Sequence, residues 1–478
     1  MRKVRSLHRR AVVTASAASL VLTSLAGEAR AAGLYFSDRG TRPMGRAGAF
    51  VAGADDLGAI WYNPAGLADA GTSLLVDFGW LNFSDTFSRQ LQIATAQGTL
   101  QTVTSPTVNG NAPIIPVPTM AASLALDSEH RFTVAGGFFA PQVALASYPD
   151  TVAGQPSPSR YSLGSFNGSA LGYIGTWVAW KPFDEIRIGV GIQALVGQFE
   201  TTVTFSACPP DRLLCAPEQP DFDAHSQLKV GPIIAPTANA GVTLVPSKYL
   251  RIGISGQLPT YVSSHAQIQV QLPSNAIFDT AHVSGSDAHV SFALPAIFRV
   301  GVELRPIRRL RVEATFVREF WSVEHSINAV PEGISIDGIT GLPPAVNLPP
   351  IDFPRNFQSS NSYRLGGEYT FDVAGYPIDA RMGVSYEQSA VPVSYVSLLS
   401  LDMSKVTVTL GGGIHVGRHW RFDALYGHIF ASSVYVAPNV AQITRIDPLS
   451  GNAPFDPVNG GTYTAKADLL GVGFNYLF

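Results

Sequence analysis

From residue 71 onward the chain alternates apolar and polar positions with a period of two, in runs broken by turn residues. In 405–416, Val406, Val408, Leu410, Ile414 and Val416 share one parity, and Lys405, Thr407, Thr409 and His415 the other. In 250–258, Leu250, Ile252, Ile254 and Leu258 oppose Arg251, Ser255 and Gln257. In 378–387, Ile378, Ala380, Met382, Val384 and Tyr386 oppose Asp379, Arg381, Ser385 and Glu387. Successive side chains of a strand point to opposite faces, so each run reads as a two-faced β-strand. About fourteen such runs are long enough to cross a bilayer at a tilt. They are 71–86, 118–127, 131–141, 170–181, 186–200, 228–245, 250–262, 289–305, 310–325, 363–373, 378–391, 405–416, 421–436 and 464–478. Their connections alternate strictly between short and long. Short turns on one side and long loops on the other are the habit of outer-membrane barrels. A β-sandwich does not sort its loops by parity, and no fixed-period repeat marks a solenoid.

The register follows from cost. A cation on the lipid face at mid-bilayer costs about 2–4 kcal/mol, so the apolar parity faces lipid and the charged parity faces the lumen. The last strand carries Leu470, Val472, Phe474, Tyr476 and Phe478 on one parity up to the terminus. That ending is the signal read by barrel-assembly machinery, with Phe478 as the contact. An even strand number returns both ends to the periplasmic side. The fold class expected is therefore all-β: a transmembrane antiparallel barrel of about fourteen strands.

Composition sharpens this picture. Charged residues are 14% of the 478, well below the ~25% of a soluble domain. No stretch after the N-terminus has the ~18 apolar residues of a membrane helix. The start is cationic at Arg2, Lys3, Arg5, Arg9 and Arg10, apolar over 11–26, and offers Ala29-Arg30-Ala31 for cleavage, so residues 1–31 read as a signal peptide. Its removal takes six Lys/Arg and one Glu from totals of 32 and 35, leaving 26 against 34 and a net charge of −8. That excess of acid excludes a nucleic-acid partner.

Residues 32–70 form the one long segment that does not read as strand, and 71–478 form the barrel. A lumen of this size is too wide for side chains alone to fill, so the segment is expected to plug it as a partly helical hatch. It contains Gly45-Arg46-Ala47-Gly48, then Asp55-Asp56, then Asn63-Pro64-Ala65-Gly66-Leu67. Asn63 is suited to cap a helix whose first residue is Pro64. These motifs, placed ahead of the first strand, resemble the N-terminal hatch of the FadL/TodX family of outer-membrane transporters, with Gly45, Arg46, Asp55, Asp56, Asn63, Pro64 and Ala65 as the matching residues. The strand count, signal peptide and terminal Phe fit the same family.

The resemblance implies passive uptake of hydrophobic small molecules, long-chain fatty acids or hydrocarbons, across the outer membrane of a Gram-negative bacterium. It also implies a route: an apolar pocket over the hatch, then lateral exit where the third strand bends inward. Gly136, Gly137 and Pro141 mark that strand as a site of bulges or broken pairing. Phe36, Phe50, Trp61, Tyr62, Phe138 and Phe139 are the pocket candidates. The expected partners are the substrate, outer-membrane lipids and lipopolysaccharide, and the protein is expected to be a monomer. The alternatives from other classes are a structural or adhesive barrel acting through its Pro-rich loops and a barrel enzyme acting on lipid.

Inward parities also carry Arg311 and Glu313, Arg364 and Glu368, and Asp379, Arg381 and Glu387. Charges of both signs at facing heights are expected to pair, with Arg46, Asp55 and Asp56 of the plug among the partners, and to hold it in place. Cys208 and Cys215 are expected to close a small disulfide ring. No metal or other cofactor is expected, since two sulfurs without further ligands complete no zinc tetrahedron. Gly189-Val190-Gly191-Ile192-Gln193-Ala194 mimics a dinucleotide fingerprint but lies within a strand with no helix after it. Arg160, Arg318 and Lys405 lie near outer strand ends, where a carboxylate-binding cation would be sought.

Overall fold

The computed structural model describes residues 35, 36, 38–94, 98–127, 129, 131–140, 142, 143, 145–208, 218–449 and 457–478. The expected signal peptide, Pro141 and Cys215 therefore lie outside the described residues, as does the Phe36 side chain. A closed barrel of 14 antiparallel strands surrounds the N-terminal segment. The strands are β1 Ser73–Ala94, β2 Pro116–Ala125, β3 Phe132–Phe139, β4 Ala170–Phe183, β5 Ile186–Ser206, β6 Asp223–Ser247, β7 Leu250–Gln257 continued as Thr260–Gln271, β8 Asp287–Leu294 continued as Ile297–Ile307, β9 Leu310–Glu319, β10 Ser360–Val373, β11 Tyr376–Glu387, β12 Lys405–Val416, β13 Trp420–Ala431 and β14 Gly461–Leu477. The barrel closes where β1 pairs with β14, from Ser73 opposite Leu477 to Arg89 opposite Gly461.

The parity expected from the sequence is the parity observed. Val406, Val408, Leu410, Ile414 and Val416 are exposed on the outer wall, while Lys405 and Thr409 are buried inside. Met382 is 66% exposed beside the buried Arg381. Strand ends differ from the expected ones. β7 and β8 each break at a proline, Pro259 and Pro295, which donates nothing to the ladder, and both continue beyond the break. β9 ends at Glu319 rather than 325, β11 at Glu387 rather than 391, and β3 at Phe139 rather than 141.

The segment before β1 holds two short helices, α1 Thr41–Met44 and α2 Ala59–Tyr62, and a 3-10 turn, Pro64–Asp69. Gly48, at φ 74°, and Ala47, at φ 51°, reverse the chain after α1. Residues 41–54 and 56–68 are buried, and they pack against β4, β5 and β6 on one side and β12 and β13 on the other. Too short to stand alone, these helices exist because the wall surrounds them.

Candidate functional site

The plug is held by backbone recognition as well as charge. The Glu313 carboxylate on β9 accepts the backbone N–H groups of Val51, Ala52 and Gly53 at 2.7, 2.9 and 2.9 Å. Its second oxygen, with that of Glu303, also meets the Arg46 guanidinium, at 3.2 and 3.1 Å. All three charged side chains are 0% exposed. Arg42 joins Asp55 and Asp56 of the plug to Glu368 of β10 at 2.7–3.0 Å. Asp55 also meets Arg311 at 2.8 Å, and Asp56 meets Arg421 at 2.7 Å. At the plug's exit Asp69 joins Arg187 and Arg251, and near its entry Asp38 pairs with Arg364.

Burial alone would raise the carboxyls of Asp55 and Asp56, but the attraction of Arg311 and Arg42 for the first, and of Arg42 and Arg421 for the second, holds both below the usual range. Arg381 pairs within the wall, with Glu368, Asp379 and Asp423. Glu387 likewise pairs with Lys405 rather than with the plug. Arg42, the main bridge, carries no sequence signal beyond its position in the segment.

Asn63 accepts the Ala65 N–H at 3.2 Å, capping the turn that begins at Pro64, and donates to the Val51 carbonyl and the Thr243 hydroxyl at 2.8 and 2.9 Å. It thus ties the plug's exit to its middle and to β6. Gly45 lies against the wall at Gly411. The wall answers with glycines at inward positions. A Cβ on Gly366 would come within 2.3 Å of the Arg46 carbonyl oxygen, and one on Gly253 within 2.4 Å of that of Val51. Gly189, part of the mock dinucleotide motif, lies under the backbone of Pro64 and Ala65. Its lack of a side chain is a matter of plug clearance.

Four of the aromatic candidates lie in the contact between plug and wall. Trp61 meets Phe139 edge-on with centroids 5.5 Å apart, Phe139 stacks on Tyr173 at 5.3 Å, and Phe50 meets Tyr62 at 5.9 Å. The Arg39 guanidinium lies 3.7 Å from the Trp61 ring centroid. Burying each such ring stabilises by about 1.5–3 kcal/mol.

The third strand leaves the wall early. Gly136 and Gly137 do not break it, contrary to the expectation from their chemistry: both are paired on either side, with Ala122 and Thr176 and with Ala121 and Gly175. Gly137 instead gives room to Ile60 of the plug. The ladder ends at Phe139. Beyond it, Gln142 and Val143 pair with Phe36 and Tyr35 at the start of the plug segment. Above Phe139, residues 116–118 of β2 and 170–172 of β4 have no ladder partner on β3 among the described residues. The Pro118 carbonyl accepts the Ala140 N–H at 3.1 Å, so residue 118 turns its own N–H position toward β3, as does residue 116 two places on. Both are proline. At these two positions the β2 edge carries no N–H, and an orphan N–H facing lipid would cost several kcal/mol.

A cavity of about 410 Å³ lies beside this end of β3. At the wall it is lined by Pro116, Phe138 and Ala170, and inside by Val290, Phe292, Trp321, Phe357 and Leu399. Of the five aromatic candidates whose side chains are described, Phe138 lines it. Among the described residues, Glu324 and Arg355 are its only charged lining residues. Arg160, Arg318 and Lys405 lie elsewhere, bonded to Asp223, Asn361 and Glu387. Neither Glu324 nor Arg355 was legible in the sequence, since both sit in a long loop whose path only the fold defines. Cys208 is disulfide-bonded and buried in a loop cluster with Phe222 and Phe278. Among the described residues no group of three His, Cys, Asp or Glu side chains is placed to hold a metal ion.

No curated protein matches this chain in sequence. In fold it is similar to a Pseudomonas aeruginosa FadL homologue, with TM-score 0.71 and 14% identity, covering 93% of this chain and 99% of that one. The Pseudomonas putida toluene transporter TodX gives TM-score 0.61 and 13% identity over 91% and 98%. The Ralstonia pickettii toluene transporter TbuX gives 0.58 and 15% over 92% and 99%. The family model described as outer membrane protein transport protein (OMPP1/FadL/TodX) matches residues 22–478. The chain belongs to the FadL/TodX family of outer-membrane transport proteins.

Proposed function

We propose that this protein admits hydrophobic small molecules passively through the outer membrane of a Gram-negative bacterium, by way of the cavity above the plug and sideways through the opening over β3. The observation that carries the reading is that one apolar cavity joins lumen-side residues such as Phe292 and Trp321 to wall residues Pro116 and Ala170. An apolar solute entering there leaves water before it reaches the plug and moves into lipid without crossing the polar bore. The plug, anchored on several strands, keeps that bore closed to small polar solutes. The toluene transporters among the structural neighbours and the FadL homologue favour hydrocarbons or fatty acids as the cargo.

The outward face of β14 supports the placement. Leu470 and Val472 are exposed and apolar, and toward the loop end they give way to Asp468 and Lys466. We place the bilayer edge and the lipopolysaccharide contact at that change, with Phe478 at the periplasmic end as the assembly signal of a monomer. Uptake of radiolabelled oleate and toluene by a deletion strain, with and without the gene restored, tests the function. Equal uptake in the two strains sinks it.

A further inference from the structure

The wall carries a second cavity that the transport route does not use. On the outer face of β5 and β6 the apolar belt runs up to Ile192 and Ile234, 74% and 75% exposed. Both strands continue past it, through a register shift at Gly197. The outward face of β6 then turns polar, with Lys229, Gln227 and His225 in alternation, while Leu228 and Val230 join the buried core. The ladder sets the outward side chains in two rows across three strands: Thr202, Gln227 and Gln269 in one, Thr204, His225 and Gln271 in the next. Side chains opposite each other on neighbouring strands stand about 5 Å apart, so six polar groups share one small face. The loop before β4 extends this sheet, with the Gly164 N–H donating to the Thr202 carbonyl at 2.8 Å and the Thr202 N–H to that of Ser165 at 2.9 Å. Gly164 and Asp150 of that loop join the two rows in lining a cavity of about 440 Å³. Two of its groups are already oriented. Gln227 Nε2 donates to Glu200 at 2.6 Å, which leaves its amide oxygen as an acceptor, and the Thr204 hydroxyl holds the His225 imidazole at 3.1 Å. Among the described residues the Gln269 and Gln271 side chains make no hydrogen bond, and both are exposed. Among the described residues no lysine or arginine lines the cavity, and Asp150 is its one carboxylate.

We propose that this cavity binds neutral sugar residues of the lipopolysaccharide surrounding the barrel. The inference rests on the bilayer placement given above and not on the cargo. A sugar hydroxyl both donates and accepts. So do amide, hydroxyl and imidazole side chains, and the ladder repeats them at fixed spacing. A phosphate or carboxylate ligand wants cations. This lining supplies none, and Asp150 repels an anion while it accepts from hydroxyls. An apolar ligand would strip water from six polar side chains without replacing their hydrogen bonds. Position selects the source. At about 3.3 Å per residue, the step from Ile234 to Gln227 is roughly 20 Å along the strand. The site therefore lies outside the hydrocarbon and faces sideways, where sugars anchored in the outer leaflet stand. Hydrogen bonds exchanged with water contribute little each, so a free sugar is held weakly. A lipid anchor keeps the sugar beside the wall at high local concentration and supplies the rest.

The test uses the purified full barrel in nanodiscs of brominated phospholipid. One arm measures, by saturation-transfer NMR, binding of the core oligosaccharide released by mild acid from a full-core lipopolysaccharide. The other counts, by native mass spectrometry, the full-core and deep-rough lipopolysaccharide molecules that the barrel retains. The deep-rough form lacks the neutral hexoses and keeps the lipid phosphates. Wild type is expected to bind the oligosaccharide and to retain the full-core form about tenfold or more over the deep-rough one. The double variant Gln269→Ala, Gln271→Ala should bind the oligosaccharide about tenfold or more weakly and retain the two lipopolysaccharides alike. Lys229→Ala, which removes an exposed cation that does not line the cavity, should leave the preference unchanged. Quenching of the exposed outer-wall Trp180 by the brominated lipid certifies that each variant is folded and inserted. Equal binding of the oligosaccharide by wild type and the double variant, or binding by neither, overturns the site. Oligosaccharide binding with equal retention of the two lipopolysaccharides by wild type assigns the cavity to a soluble glycan and overturns the proposed source. An unquenched Trp180 in wild type would instead mark the bilayer placement as wrong, a failure separable from both.

Discussion

Replacing Glu313 by alanine is expected to free the plug at its deepest anchor. The loss strands three buried backbone N–H groups, those of Val51, Ala52 and Gly53. It also leaves the fully buried Arg46 with Glu303 as its remaining carboxylate. Each stranded donor costs about 1–3 kcal/mol, and breaking a buried ion pair from one side about 3–5 kcal/mol. These terms overlap at one site, so the smaller total of about 3–5 kcal/mol is the safer figure. At about 1.4 kcal/mol per tenfold, the fraction of molecules with the plug displaced rises about a hundredfold or more. The assay is liposome swelling with a small sugar, together with single-channel conductance in planar bilayers. Glu313→Gln, which removes the charge but keeps the shape, should leak to an intermediate degree. Arg309→Ala is the control, because its pair with Asp372 is more than half exposed on both sides and such pairs contribute under about 1 kcal/mol. If Glu313→Ala leaks no more than Arg309→Ala, then the plug is not held by this carboxylate and the anchoring argument fails.

The remaining predictions concern clearance and charge. Gly366→Val drives a side chain into the Arg46 carbonyl, which a Cβ alone would approach to 2.3 Å, so the variant should either leak or fail to assemble. Gly375→Val, at a turn with open space around it, costs only the backbone strain of its φ of 87° and should retain a closed bore. Asp55 and Asp56 titrate below their unfolded values, so their contribution is present above about pH 4 and lost only as pH falls further. Swelling rates should therefore be flat from about pH 5 to about pH 9 and rise only in stronger acid; a leak that opens between about pH 5 and pH 7 contradicts the assignment.

The wall was legible from alternation alone because a membrane strand has one apolar face, and a shift of one residue would put Arg381 or Lys405 into lipid. The plug was legible as the stretch lacking that alternation, together with Asn63-Pro64-Ala65. Its fixings were not. Glu313 reads as one inward carboxylate among several until the fold brings Val51 to Gly53 beneath it, across more than 250 positions of chain. Gly189 and Gly253 read as weak points in strands until the plug backbone is seen against them. A break in β3 was expected from Gly136, Gly137 and Pro141, yet the two glycines are paired on both sides, and the missing donors of Pro116 and Pro118 on the strand beside it matter only past the end of β3 at Phe139. Arg355 shows the limit most sharply. Local pattern determines which face of a strand meets lipid, because period and solvent are local. Which loop cation enters an apolar cavity depends on how chain segments hundreds of residues apart close over it, and that only the tertiary structure decides.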